Sequence, residues 1–178
     1  TRIEACMVKS SLEDLYQPYK PKRRTRAMIA REKGLEPLAD ILWAQGGEKP
    51  LEAASAFVDA AKGVEDEAAA LAGARDICAE RIADMADVRG LVRRAYATKA
   101  VVKSSASLTK PDEPTKFEQY YDFEEPISEI PSHRFLAIRR GEAEGVLFVR
   151  LAVDSAPLVS RMEELAGVDS SSPLADEL

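Results

Sequence analysis

The run EDEAAALAGARDICAERIADMADVRGLVRRAYATKAVVK, residues 65–103, decides the fold. Within it Ala68, Leu71, Ala74, Cys78, Ile82 and Met85 recur at helical spacing, and Val88, Val92 and Ala95 continue the series. That period gathers the apolar side chains on one face of an α-helix and leaves a charged face opposite. The stretch reads as a long central helix against which the remaining elements pack. Its middle admits two readings. It is one bent helix, or two helices with Asp87 capping the second and Gly90 weakening its first turn.

Toward the N-terminus, Ser11 reads as the cap of a turn carrying Leu12 and Leu15, and Pro18 and Pro21 impose extended backbone before Arg24. A helix is predicted from Arg24 to Lys33 with Gly34 as its stop, and Glu36-Pro37 opens another that reaches Gly46-Gly47. Trp43 in that second helix reads as a core anchor. A third helix starts at Pro50, with Leu51, Ala54, Phe57, Val58 and Ala61 as a core stripe and Gly63 as its end. Toward the C-terminus, residues 104–114 read as a polar loop. The aromatic residues Phe117, Tyr120, Tyr121 and Phe123 read as a group docked onto the helices. Ser132 is placed to cap a helix through Arg140, with Gly141 as its stop. The run Val146-Leu147-Phe148-Val149-Arg150-Leu151 has the composition of a strand. A strand cannot stay unpaired, so it either pairs near Ala100 to Val102 or belongs to a larger sheet. Ala156 to Ala166 reads as a helix ended by Gly167, followed by a frayed acidic tail from Ser170 to Leu178. The predicted fold class is all-α: a multihelical array with a long central helix and one short strand or hairpin near 100–102 and 145–152. The predicted parts are an N-terminal helical segment at 1–64, the long helix with the following helix and strand at 65–152, and a terminal helix and tail at 153–178.

Composition narrows the function. With 178 residues, 46% of them hydrophobic, the chain can bury a core, and a net charge of −6 excludes a uniformly basic nucleic-acid coat. Cys6 and Cys78 lie far apart with no CxxC or Cys/His cluster, which predicts two reduced thiols rather than a disulfide framework or zinc site. No apolar run approaches the roughly 20 residues needed to span a bilayer. The first residues lack the order of a signal peptide, so the expected location is the cytoplasm and no membrane is expected as a partner. The chain opens on Thr1 rather than Met, which predicts residues upstream.

Charge is distributed unevenly. Between Lys20 and Lys33 stand seven cations against one acid, Glu32, a local net charge of +6 that leaves −12 on the rest of the chain. The candidate nucleic-acid-binding residues are Tyr19, Lys20, Lys22, Arg23, Arg24, Arg26 and Arg31. Arginine forks pair bidentately with phosphate, and Tyr16 or Tyr19 can stack on a base. A structural reading competes: the same arginines form ion pairs with the helices beneath, and residues 16–26 make a clasp. No GxxxxGK[ST], HExxH, GxSxG or complete Cys/His set is present, so no catalytic, cofactor or metal residue is assigned and an enzyme is not expected. Converging carboxylates of the RNase-H-like nuclease kind are the weaker alternative, opposed by the helical content. His133 has no recognisable catalytic partner and reads as a first-turn helix residue. Asp112, Glu113, Glu118, Asp122, Glu124, Glu125 and Glu129 lack the spelling of a calcium loop and read as a solvated face.

The stretch LEDLYQPYKPKRRTR, residues 12–26, continuing as AMIAREKGLEPLA to residue 39, resembles the signature of the Tex family of bacterial transcription accessory proteins. Further blocks follow in the same order: Ala74-Arg75-Asp76-Ile77 with Ala79-Glu80-Arg81-Ile82-Ala83, then Lys116-Phe117, then Ile130-Pro131-Ser132-His133-Arg134 leading to Arg140-Gly141 and Glu144-Gly145-Val146-Leu147. The resemblance covers residues 10–151. It implies part of a multidomain nucleic-acid-binding protein that affects transcription and is related to a eukaryotic elongation factor accompanying RNA polymerase. The family's RNase-H-like domain, helix-hairpin-helix elements and C-terminal OB-class RNA-binding barrel are not found complete in this sequence. By that resemblance the partners are RNA or DNA, mainly through domains outside this chain, the transcription machinery, and other domains of the same polypeptide; no cofactor is implied. The function it implies is an architectural piece of such a factor, with residues 20–31 as its nucleic-acid or polymerase contact. The alternative is an interaction scaffold without nucleic-acid affinity that docks the missing domains.

Overall fold

The computed structural model describes residues 6–20, 24–108, 113 and 115–178. The chain divides into two compact units, Thr1–Gly90 with Val159–Leu178, and Leu91–Leu158.

In the first unit α1 (Lys9–Tyr16) comes first, and helices α2 (Arg26–Glu32), α3 (Glu36–Ala44) and α4 (Pro50–Ser55) gather around α5 (Glu67–Asp84). Asp66 caps α5 by accepting from the Ala69 amide at 2.7 Å. Of the two readings of residues 65–103 the structure has the second: α5 ends at Asp84, Met85 is extended with ψ 121°, and α6 (Ala86–Lys99) starts afresh. Asp87 lies inside the first turn of α6 rather than capping it. The buried face of α5 is Ala70, Leu71, Ala74, Ile77 and Cys78. The predicted stripe was therefore right at Leu71, Ala74 and Cys78, while Ala68 is exposed and Ile82 and Met85 are half-buried. Against this face pack Leu35, Leu38, Leu42, Ala54 and Val64. Gly73 lets Leu35 approach: a Cβ built on Gly73 would collide with Leu35 Cδ1.

Two readings around this core are corrected. The helix expected from Pro50 to Gly63 stops at Ser55. Asp59 then forms an isolated bridge to Val64, and its side chain accepts from the Ala61 amide at 3.0 Å. An aspartate that satisfies local amides competes with helix propagation. Of the expected stripe, Ala54 is buried and Phe57 packs at the core edge, while Leu51, Val58 and Ala61 are exposed. The tail is not frayed. After α8 (Ala156–Ala166) the chain returns to the core, where Leu174 is fully buried. Gln45, left-handed at φ 50°, donates from Nε2 to Leu174 O at 3.2 Å, Ser172 Oγ donates to Gly46 O at 2.9 Å, and Arg75 pairs with Glu177 at 2.5 Å. An acidic composition suggested solvent; one leucine inserted beside α3 decides otherwise.

The second unit corrects the all-α expectation. The fold is mainly helical, but strands β1 (Val101–Ala106), β2 (Asp122–Pro126) and β3 (Leu147–Ala152) form an antiparallel sheet in the order β2-β1-β3. The expected partner of residues 145–152 is present, with Val102 opposite Leu151. The third strand, Asp-Phe-Glu-Glu-Pro, has weak strand propensity and pairs because β1 offers a free edge, Ser104 opposite Phe123. One sheet face meets α7 (Ser132–Ala143), enclosing Val102, Phe117, Tyr120, Ile138, Val146 and Leu147. Tyr120 and Phe123 meet edge-on, ring centroids 5.5 Å apart. The aromatic group thus docks mainly as part of a sheet–helix core.

At α7, Pro131 rather than Ser132 holds the cap position, and Gly141 is not the stop. The helix continues to Ala143, and Gly145 takes the left-handed turn at φ 73°. Gly141 is instead a packing position: an added Cβ would lie 2.6 Å from Leu147 Cδ1 and 3.1 Å from Phe117 Cδ1. Gly141→Ala is expected to destabilise the protein by about 1–3 kcal/mol through overpacking, whereas Gly46→Ala, with nothing near its added methyl, is expected to leave stability almost unchanged. Urea unfolding of both variants checks this. Leu174→Ala is expected to cost about 2–5 kcal/mol through loss of burial and the cavity left behind, read as a lower urea midpoint that a frayed tail would not produce.

Candidate nucleic-acid interface

The basic segment runs from the end of α1 through a 3-10 turn, Gln17–Tyr19, to α2. Pro18 sits at the start of that turn, and Lys20, ahead of Pro21, is extended at φ −72°, ψ 139°. Asp14 anchors α1: it is buried, and Arg89 Nε of α6 donates to its Oδ1 at 3.0 Å.

The candidate residues divide by what they touch. Arg31 is turned onto the helices beneath. Its Nη1 donates to Glu80 Oε2 at 2.6 Å, and its Nε lies 2.7 Å from Glu36 Oε2. Glu80, on α5, also accepts from Thr25 Oγ1 at 2.9 Å, and the same hydroxyl caps α2 by accepting from the Met28 amide at 3.1 Å. The pairing extends through Arg81, which donates to Glu36 Oε1 and Asp40 Oδ1, both at 2.6 Å, and stands 5.9 Å over the ring of Trp43. The Glu80 hydrogen bond, followed by the fields of Glu36 and Glu80, outweighs desolvation and holds the Arg31 guanidinium above its ordinary range. For Arg81 burial works the other way, and the bonds to Glu36 and Asp40 overcome it. Arg24 pairs with Glu32 at 2.7 Å on the open surface.

Tyr19, Lys20 and Arg26 are exposed, and their side chains have no hydrogen-bond or ion-pair partner among the described residues. Arg26 stands at the rim of a shallow groove of about 300 Å³ between α2 and α5, with Ile29 and Lys33 along one side and Gly73 in its floor. Lys22 and Arg23 lie outside the described residues. The partners of Arg31 were invisible in sequence, because Glu36 and Glu80 are 5 and 49 residues away and only the packing of α2 and α3 on α5 brings them together.

The other candidates have ordinary surroundings. His133 is exposed in the first turn of α7. In the acidic segment, Asp112 lies outside the described residues, Glu125 pairs with Arg134 at 2.6 Å and Glu124 pairs with Lys103. Among the described residues no group of three His, Cys, Asp or Glu side chains is placed to hold a metal ion. Cys6 and Cys78 are free thiols; Cys78 is buried, which pushes its pKa up, and donates weakly to Ala39 O at 3.6 Å. Among the described residues no helix is long and apolar enough to cross a membrane.

The fold defines a helix-rich module in which Arg24 and Arg31 of the basic segment are bound into its own ion pairs. The chain belongs to the family described as Tex central region-like, whose sequence model matches residues 45–177. It is 50% identical over 152 residues to Protein YhgF of Escherichia coli, covering 85% of this chain and 20% of that protein. It is 43% identical over 153 residues to Protein tex of Bordetella pertussis, covering 86% and 19%, and 42% identical over 164 residues to Transcriptional accessory protein Tex of Neisseria gonorrhoeae, covering 91% and 21%. The chain thus spans about a fifth of the length of these curated relatives.

Glu80→Ala removes the acceptor shared by Thr25 and Arg31 and is expected to cost about 1–3 kcal/mol. Arg24→Ala breaks a solvent-exposed pair and is expected to cost less than about 1 kcal/mol. Chemical denaturation of the two variants side by side gives the comparison, and equal losses would refute the division of the basic residues drawn above.

Proposed function

We propose that the chain is an architectural segment of a Tex-like transcription accessory factor, non-enzymatic and cytoplasmic. In this reading Arg31 is turned onto the helices beneath, and Tyr19, Lys20, Arg26 and Arg24, which can exchange its solvent-exposed pair with Glu32, offer a weak, salt-sensitive contact to nucleic acid or to RNA polymerase. The Neisseria gonorrhoeae relative named Transcriptional accessory protein Tex supports the setting, and the carrying observation for the contact is that Lys20 and Arg26 are exposed and have no ion-pair partner among the described residues. Binding of RNA or DNA by the whole factor rests mainly on other domains of the polypeptide.

A second reading is favoured by the Arg31–Glu80–Glu36–Arg81 network. Cations already paired with carboxylates gain little from a phosphate, because the exchange sacrifices an existing ion pair. The segment is then a scaffold that docks other domains and has no nucleic-acid affinity of its own.

Fluorescence anisotropy of labelled single-stranded RNA and duplex DNA across a salt series separates the two. The contact reading expects binding that weakens with salt, and Lys20, Arg24 and Arg26 changed together to Ala should flatten the log–log slope by about 0.7–0.9 for each lost phosphate contact. Absence of binding to the clasp at low salt, or binding that the triple variant leaves unchanged, selects the scaffold.

A further inference from the structure

The sheet has two faces, and α7 covers only one. Strand alternation places Lys103, Ser105, Asp122, Glu124, Phe148 and Arg150 on the other. These six line a hollow of about 320 Å³. Register sorts them into two rows across the strands: Phe148–Ser105–Asp122, and beside it Arg150–Lys103–Glu124.

The rows differ chemically. In the second, Lys103 is already paired with Glu124, so its charge is spent locally. Arg150 is exposed and has no ion-pair partner among the described residues. In the first row Phe148 is 61% exposed, a large apolar ring left in water on an otherwise polar face. The small Ser105 beside it leaves room over the ring, and the exposed Asp122 carboxylate stands two strands away, about 10 Å at the spacing of paired strands.

We infer that this outer face is a platform for one unpaired guanine nucleotide of a single-stranded nucleic acid. The base stacks on Phe148 and fills the space above Ser105, a sequence-tolerant contact by itself. Its Watson–Crick edge then faces Asp122. An ionised carboxylate only accepts hydrogen bonds, and guanine presents two adjacent donors on that edge, N1–H and the 2-amino group, whereas adenine opposes the carboxylate with the N1 lone pair. Arg150, two residues from Phe148 on the same face, is placed for an adjacent phosphate through its guanidinium fork. The carboxylate and the cation lie at opposite corners of the hollow, so Asp122 meets the base and Arg150 the backbone. A duplex is excluded, because its bases are not free to stack on a flat sheet. This site is separate from the clasp and does not depend on it.

The test uses the 178-residue chain and labelled octamers of uridine carrying one central G, A or inosine, followed by anisotropy and by amide chemical-shift mapping. The G octamer is expected to bind most tightly and to shift residues 103–105, 122–124 and 147–151. Inosine, lacking the 2-amino group, and adenine should both bind more weakly. Phe148→Ala should weaken binding at least fivefold, the low end for one base–aromatic stack, while Phe148→Tyr retains it. Asp122→Asn should remove the preference for G over A, and the Lys20, Arg24 and Arg26 triple variant should keep it. Both sheet substitutions are at exposed positions, and circular dichroism verifies that they fold. No binding at low salt, shifts confined to other surfaces, a Phe148→Ala affinity equal to the parent's, or a G preference that survives in Asp122→Asn overturns the proposal.

Discussion

Leu35 occupies the space that a side chain at residue 73 would need. The turn between α2 and α3 can press onto α5 only because position 73 has no Cβ, and that approach buries Leu35, Leu38 and Leu42 together with Ile77 and Cys78. Ala30 lies beside the same spot, so small residues on both helices bring the backbones close and let the larger leucines fill the space around them. The placement of α2 follows from this contact, and with it the direction in which its basic residues point.

The ion pairs follow from that placement and do not cause it. Glu80 can receive both Arg31 and Thr25 because α2 is already held against α5 by apolar contacts. Partly buried pairs of this kind add little net stability, since each charge gives up water to form them, yet removing one partner leaves the other uncompensated. Their effect is orientation. They turn Arg31 inward and fix the start of α2 through the Thr25 cap, with Arg26 facing solvent.

In the second unit β1 plays the organising part. It is paired on both edges, and its buried Ser104 is satisfied by donating to the Tyr120 carbonyl, so a polar residue sits at the core without an unmet hydrogen bond. Gly141 repeats on α7 the device seen at Gly73, permitting Leu147 and Phe117 to close over the helix. With one face of the sheet covered in this way, strand alternation commits Phe148 and Arg150 to the other face.

Much of the helical architecture was legible because it is local. Period 3.6 in residues 65–103, Pro37 and Pro50 at helix starts and Gly167 beyond a helix end announce α3 to α6 and α8 from neighbours in the chain. The pairing of β3 near residue 101 was anticipated from the requirement that backbone groups be satisfied. Blocks of sequence from residue 12 to residue 147 also carried the family resemblance. What the tertiary structure alone decided is non-local. The strand at Asp122–Pro126 exists because β1 has an edge to fill, the acidic C-terminal segment is folded because Leu174 reaches a core formed some 130 residues earlier, and Arg31 faces inward because Glu80 waits on another helix. Propensity and charge are properties of residues, but an edge, a cavity and an ion-pair partner are properties of places, and those come into being only when distant parts of the chain meet.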